Sequence, residues 1–204
     1  MSLPNWNQRY ADKAFAYGIE PNVFFKDQLQ QFDSGKLLMP ADGEGRNGVY
    51  AATQGWKVTS ADLSIVGKQK AEALAKQHEV ALEYIVGDLN DMSFEPTSFD
   101  AIGLIYAHFP ATIKSDLHKK IIGYLKPGGI VIFEAFSKNH LPLSKADPAV
   151  GGPMDIDMLF STEELQKDFE GFEMLHLAEE EVLLNEGKFH NGKSSVIRFV
   201  GRKK

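Results

Sequence analysis

The stretch Leu37-Leu38-Met39-Pro40-Ala41-Asp42-Gly43-Glu44-Gly45-Arg46-Asn47-Gly48 decides how the chain is read. A short apolar run, Lys36–Met39, is stopped by Pro40 and a glycine-rich loop. A helix over Gly48–Gln54 follows, closed by Gly55. A strand that passes through a tight glycine turn into a helix lets a ligand approach the backbone, and the helix start offers N–H groups with no partner. Outward from the loop the same rhythm repeats. Lys57–Ala61 reads as a strand ended by Asp62, and Ser64 caps a helix running to about Gln77. Leu82–Val86 and Phe99–Tyr106 read as strands, and Ile113, Leu117, Ile121 and Tyr124 share one helical face. The turn Lys126-Pro127-Gly128-Gly129 leads into the β-prone run Ile130–Phe136. These strands are continuous apolar runs, not polar/apolar alternations, which predicts a mostly parallel sheet buried on both faces by helices.

The two ends differ from this pattern. Trp6–Phe32 is rich in aromatic and polar residues; Pro21 can open a helix there, with Phe25, Leu29 and Phe32 on one face. Ser137–Leu159 holds three prolines and two adjacent glycines without periodicity, and is predicted to be a long loop. Ser161-Thr162-Glu163-Glu164 is a capping box. Phe172–Leu184 and Ser194–Arg202, joined by Glu186–Lys193, predict an antiparallel hairpin closing one sheet edge. The expected architecture is a Rossmann-like α/β domain over 1–204. It divides into an N-terminal helical lid (1–33), a core (34–136), and a loop, helix and closing hairpin (137–204).

Composition excludes several classes. With 22 basic and 28 acidic residues the net charge is -6, which argues against a protein that grips nucleic acid or an anionic membrane. The absence of cysteine removes disulfides, thiolate metal sites and a cysteine nucleophile. No run of the sequence approaches the ~18 apolar residues of a membrane span, and Met1–Asp12 lacks the features of a signal peptide. A cytoplasmic protein, monomeric or homodimeric, is the expectation. The six histidines form neither an HxxxH nor an HExxH pair, so no metal is expected.

Three ligand-type features fall at the ends of three successive strands. They are the loop Gly43-x-Gly45-x-x-Gly48, Asp62 nineteen residues beyond Gly43, and Gly87-Asp88 after the third strand. A carboxylate in the place of Asp62 can accept both hydroxyls of a ribose. With Leu125-Lys126-Pro127-Gly128-Gly129 before the fifth strand, this order resembles the class I S-adenosylmethionine-dependent methyltransferases over about residues 34–136. Gly-Glu-Gly-Arg-Asn, Trp6-Asn7-Gln8-Arg9-Tyr10 and Tyr17-Gly18-Ile19-Glu20-Pro21-Asn22 are most similar to its small tellurite-resistance and thiopurine-type members. The resemblance implies S-adenosyl-L-methionine as cofactor and a small-molecule methyl acceptor. It sets Ala41, Asp42, Gly43 and Gly45 against the cofactor's methionine and ribose. It gives Asp62 and Leu63 to the ribose side, and Asp88 and the Leu89 backbone to the adenine. Read from the residues themselves, Tyr106 is a packing residue or a cofactor contact, and Trp6, Arg9, Tyr10 and Tyr17 form either an N-terminal lid over the cofactor or part of the core.

The chain also departs from that pattern. Met39 stands where the family has a strand-end carboxylate, and Ala41 stands for its first glycine. A negative φ at Ala41 would keep the turn, and Asp42 or Glu44 is a candidate to replace the missing carboxylate. His108, in Ile105-Tyr106-Ala107-His108-Phe109-Pro110, is a candidate base or a wall residue; no other catalytic group is evident. The rival readings are an NAD(P)-dependent oxidoreductase, which leaves Asp88 without a role, and a non-catalytic cofactor-binding protein of the same fold.

Overall fold

A computed structural model describes residues 5–204; the first four residues of the expected lid lie outside them. Seven strands form one sheet in the order β3-β2-β1-β4-β5-β7-β6. They are β1 (Lys36–Pro40), β2 (Lys57–Asp62), β3 (Glu83–Val86), β4 (Phe99–Ile105), β5 (Leu125–Phe136), β6 (Phe172–Glu186) and β7 (His190–Lys203). β1 to β5 pair in parallel, while β7 runs antiparallel to both β5 and β6. The helices are α1 (Trp6–Arg9), α2 (Val23–Leu29), α3 (Arg46–Thr53), α4 (Ile65–Gln77), α5 (Lys114–Gly123), α6 (Leu141–Ala146) and α7 (Thr162–Asp168).

Apolar runs bury both faces of the sheet because successive side chains point to opposite sides. Leu38, Ile102, Leu104, Val131, Phe133 and Phe199 meet Leu117 and Ile121 of α5 and Leu165 of α7. Leu37, Met39, Ala101, Ile130 and Ile132 meet Phe25 and Leu29 of α2 and Ala51 of α3. Local signals set the helix starts. The Ser64 hydroxyl accepts from Gly67 N–H, and Ser161 and Glu164 close a capping box. Asn22 caps α2 at Phe25 N–H, one residue beyond Pro21.

Three expectations change. α3 starts at Arg46, two residues before Gly48, because Gly45 with φ of 83° takes the cap position. The segment after β5 is not a bare loop: it contains α6 and 3-10 turns at Lys138–His140, Pro148–Val150 and Ile156–Met158. The hairpin strands are also longer than expected, and only residues 187–189 separate them. Phe136 at the end of β5 pairs with Val196, so β7 extends six residues past it. At ~3.4 Å per residue the hairpin tip projects roughly 20 Å beyond that edge. It is a cover for the C-terminal ends of the parallel strands as well as a closing edge.

Candidate active site

The glycine loop leaves β1 with three consecutive odd positions in the left-handed region: Ala41 at φ 56°, Gly43 at 58° and Gly45 at 83°. The negative φ expected at Ala41 is therefore not what the chain adopts; an alanine holds a conformation that favours glycine, at a cost of about 1–2 kcal/mol. Gly45 is small for a packing reason: a Cβ there would stand 2.3 Å from the Ala71 Cβ, so the glycine lets α4 close on the loop. At Gly43 the neighbour is the Tyr10 hydroxyl, which would lie 2.6 Å from an added Cβ. The Gly43 carbonyl accepts from the Tyr84 hydroxyl of β3, a support for the loop that the sequence reading missed.

The two acids near the vacated carboxylate position do not fill it. Asp42 turns beneath the loop. It accepts from the Ser60 hydroxyl at 2.7 Å and from Gly48 N–H at 3.3 Å, and burial raises its pKa to about 7 against those bonds. Glu44 points between the N-terminal segment and α4, accepting from Ala16 N–H of the first and Lys70 Nζ of the second, both at 2.7 Å. Desolvation explains why each is bonded rather than free. The expected substitution for the residue at Met39 is thus corrected for both.

Asp62 ends β2 with its carboxylate accepting Gly43 N–H at 3.1 Å and Ser64 N–H at 2.8 Å. It ties the glycine loop to the start of α4, and burial raises its pKa despite these bonds. Leu63 beside it is 45% exposed, as an apolar side chain at an open rim. Asp88 is exposed past the end of β3 and accepts from the backbone and side chain of Asn90; Leu89 is half-buried. All four lie at the C-terminal edge of the parallel strands, where ligands bind in open α/β sheets.

The N-terminal segment covers this edge. Trp6 stacks on Tyr10 at 5.6 Å, and Tyr10 is buried with its pKa raised well above the ordinary value by burial and then by Asp62. The Asn7 side chain accepts from the Ser64 hydroxyl. Arg9 does not face the loop: its guanidinium lies 4.2 Å over the Phe189 ring of the hairpin tip. Ala16 bridges both neighbours, giving its N–H to Glu44 and accepting from Lys188 N–H at 2.9 Å. The outer seam between segment and tip is a cleft of about 560 Å³ lined by Arg9, Asp12, Phe15, Lys188 and Phe189, among others.

Behind the cover lies a buried polar network that sequence reading did not find. Glu134, wholly buried in β5, accepts from Asn22 Nδ2 and Arg198 Nε, both at 2.6 Å. Glu186 pairs with Arg46 at 2.8 Å and accepts from Asn22 at 3.1 Å and from His190 at 3.3 Å. Burial opposes ionisation of Glu186, but His190 and Arg46 outweigh it and hold the pKa at about 2. A signal existed in the sequence: Glu134 interrupts an apolar strand, and a charge buried there needs partners.

Tyr106 leaves β4 at φ 52°, a strained conformation for a bulky residue and one that clusters at functional sites. Its ring packs on Phe136 and His190, and its sealed hydroxyl has no hydrogen-bond partner among the described residues. Burial, then the Glu134 and Glu186 charges, push the phenol pKa well above its usual range. His108 donates from Nδ1 to the Met158 carbonyl at 3.0 Å and accepts at Nε2 from Phe136 N–H at 3.3 Å. Burial pushes its pKa down to about 3. Both nitrogens of His108 are committed to backbone, which leaves neither free for an acceptor. Among the described residues no group of His, Asp and Glu side chains is arranged to hold a metal ion, and no helix is long and apolar enough to cross a membrane.

Residues 38–129 match the methyltransferase domain family. Sterol 24-C-methyltransferase of Clavispora lusitaniae is 38% identical over 78 residues, 34% of this chain and 21% of that protein. The Candida albicans enzyme of the same name is 38% identical over 64 residues, 30% and 17% respectively. The matches thus span about a fifth of the length of these curated relatives. Among solved structures, one from work on conversion of a disulfide bond into a thioacetal group during echinomycin biosynthesis superposes with a TM-score of 0.75. It covers 97% of this chain and 88% of that one at 17% identity. TehB from Haemophilus influenzae gives 0.73, 98%, 66% and 18%. At these identities the likeness to solved structures is one of fold.

Proposed function

We propose, from the match of residues 38–129 to the methyltransferase domain family, that the chain is a class I S-adenosylmethionine-dependent enzyme that transfers a methyl group to a small-molecule acceptor in the cytoplasm. The observation that carries this reading is the juxtaposition of the glycine loop, Asp62 and Asp88 at one sheet edge. The residues fit the cofactor. Each Asp62 oxygen accepts one backbone N–H and keeps a lone pair for a ribose hydroxyl. Leu63 offers exposed apolar surface to a base, and Asp88 lies exposed to accept from an adenine amino group. The loop at Ala41, Gly43 and Gly45 presents backbone to the methionine moiety, with Trp6, Tyr10 and Tyr106 closing over it.

The bound cofactor supplies an electrophilic sulfonium methyl. The chain's own residues orient the acceptor and exclude water. The net charge of -6 favours a small acceptor over nucleic acid.

The test is ligand-dependent stability. S-adenosylhomocysteine should raise the melting temperature and NADH should not, since a ligand that binds only the folded state stabilises it. Asp62→Ala should weaken S-adenosylhomocysteine by about 1–3 kcal/mol, the range of hydrogen bonds to a charged group. Stabilisation by NADH alone would replace this reading with the oxidoreductase one.

A further inference from the structure

Three histidines surround Phe136 at the covered sheet edge: His108, His140 and His190, with ring centroids 5.7, 3.9 and 5.1 Å from it. Two are fully committed. His108 is held between the Met158 carbonyl and Phe136 N–H. His140 gives Nε2–H to the Gly151 carbonyl at 3.0 Å and accepts at Nδ1 from Ser195 N–H at 3.3 Å. His190 differs. Its Nδ1 meets the Glu186 carboxylate at 3.3 Å, and its Nε2 has no hydrogen-bond partner among the described residues and is not a sealed atom. The carboxylate only accepts, so Nδ1 carries the proton and Nε2 presents a lone pair.

We infer that His190, oriented by Glu186, is the general base of the transfer, and that the acceptor is a small apolar molecule carrying a protonated thiol or phenolic hydroxyl. The inference rests on the methyl-transfer reading. His190 lies at the start of β7, on the tip that overhangs the C-terminal edge of β4 and β5. Tyr106, Tyr17 and Phe136 pack on its ring at 4.3, 4.5 and 5.1 Å. The half-buried rings of Tyr106 and Tyr17 suit a flat apolar body. The rival dyad, His118 with Asp168 at 2.7 Å, has its Nε2 sealed among Phe133, Phe160 and Phe169, where no acceptor reaches it.

In the step, Nε2 takes the proton from the acceptor S–H or O–H. The freed electron pair forms the bond to the methyl carbon. The carbon–sulfonium bond breaks, and its pair stays on sulfur as a neutral thioether. The imidazolium then returns its proton to water. The positive charge leaves the sulfonium as it appears on His190, so the site's charge count does not change. That suits a buried group, since burial penalises added charge. The charged and titratable groups facing His190 are Glu186, Arg46, Tyr17, Tyr106, His140 and His108. Burial lowers its pKa to about 4, partly offset by Glu186, so the imidazole is unprotonated at neutral pH.

The test uses the full chain. Long-range nitrogen NMR at pH 7.5 should show His190 protonated at Nδ1 and bare at Nε2. Calorimetry should find S-adenosylhomocysteine affinity unchanged within about twofold in His190→Gln. Wild type should methylate phenylmethanethiol or phenol. For that acceptor His190→Gln should lower kcat by roughly 10²–10⁴, the range for general-base catalysis. Transfer to pentafluorothiophenol, already ionised at this pH, should fall far less, a split that a purely structural role would not produce. Glu186→Gln should move the acid limb of the kcat profile to lower pH, because the carboxylate stabilises the imidazolium. A proton on Nε2, equal losses for both thiols, or no transfer to any of these acceptors by protein that binds S-adenosylhomocysteine would each overturn the assignment. Wild type that fails to bind S-adenosylhomocysteine overturns the methyl-transfer reading instead.

Discussion

Asp42 shows how a single side chain can be placed by packing against its electrostatic interest. Its carboxylate is buried beneath the glycine loop and bonded to Ser60 and Gly48, yet burial dominates and its pKa rises from 3.8 to about 7. The folded value lies above the unfolded one, so between these pH values the native state binds more protons. Its contribution therefore makes stability fall as pH rises from about 4 to about 7, and level off above. Asp42→Asn removes this component. It keeps an acceptor for Gly48 N–H, and its amide can donate to the Ser60 oxygen. Urea unfolding should find the variant more stable than wild type at pH 8, with the gap closing near pH 4–5. An equal gap at both pH values would mean that the carboxylate is not strained by burial. The same residue marks a limit of sequence reading. An acid in a glycine loop is equally well a ligand contact or a strut, and only its partners decide.

At the scale of elements, the hairpin tip is the part that sets the site apart. Gly187, at φ 68°, faces backbone only: an added Cβ would stand 2.5 Å from Gly18 N, 2.6 Å from the Tyr17 carbonyl carbon and 2.7 Å from Ala16 O. Backbone cannot swing away as a side chain can, so Gly187→Val should part the tip from the N-terminal segment. We expect faster hydrogen exchange at residues 14–18 and weaker S-adenosylhomocysteine binding, with β1, β4 and β5 still protected. Unchanged exchange at 14–18 would show that the contact carries no coupling. Local chemistry made most elements legible: the caps at Ser64 and Ser161, the glycine loop, and apolar runs for the parallel strands. The loop, Asp62 and Asp88 at one edge followed from strand order alone. The reach of β6 and β7 did not, because residues 190–193 are polar and look like part of a turn until the register between the two strands is known. Nor did the pairs of Glu134 with Asn22 and of Glu186 with Arg46, which join positions more than a hundred residues apart.

For the molecule as a whole, both ends of the chain close over one sheet edge. The N-terminal segment is anchored through Asn7 to Ser64, through the Ala14 carbonyl to Lys70 and through Ala16 to Glu44, all on the body. Ala16 also accepts from Lys188, and Arg9 covers Phe189, which join the segment to the hairpin tip. Tyr10 meanwhile sits over Gly43, against the loop that would receive the cofactor. Entry of a ligand therefore requires the cover to part, and these few bonds are far weaker than the packed core beneath. Opening should be a local event, well below the free energy of global unfolding. Because segment and tip share bonds, they should open together. In the free protein, residues 6–17 and 186–190 should exchange faster than Ile130–Phe136, at similar rates. S-adenosylhomocysteine should slow both sets together, since a closed cover excludes water from the reacting sulfur. Slowing of 6–17 with no change at 186–190 would mean that the tip is a fixed wall and the segment alone is the lid. Core-like protection of both sets without ligand would mean the cover does not part on its own, and access to Asp62 would have to run along the rim at Leu63 and Asp88.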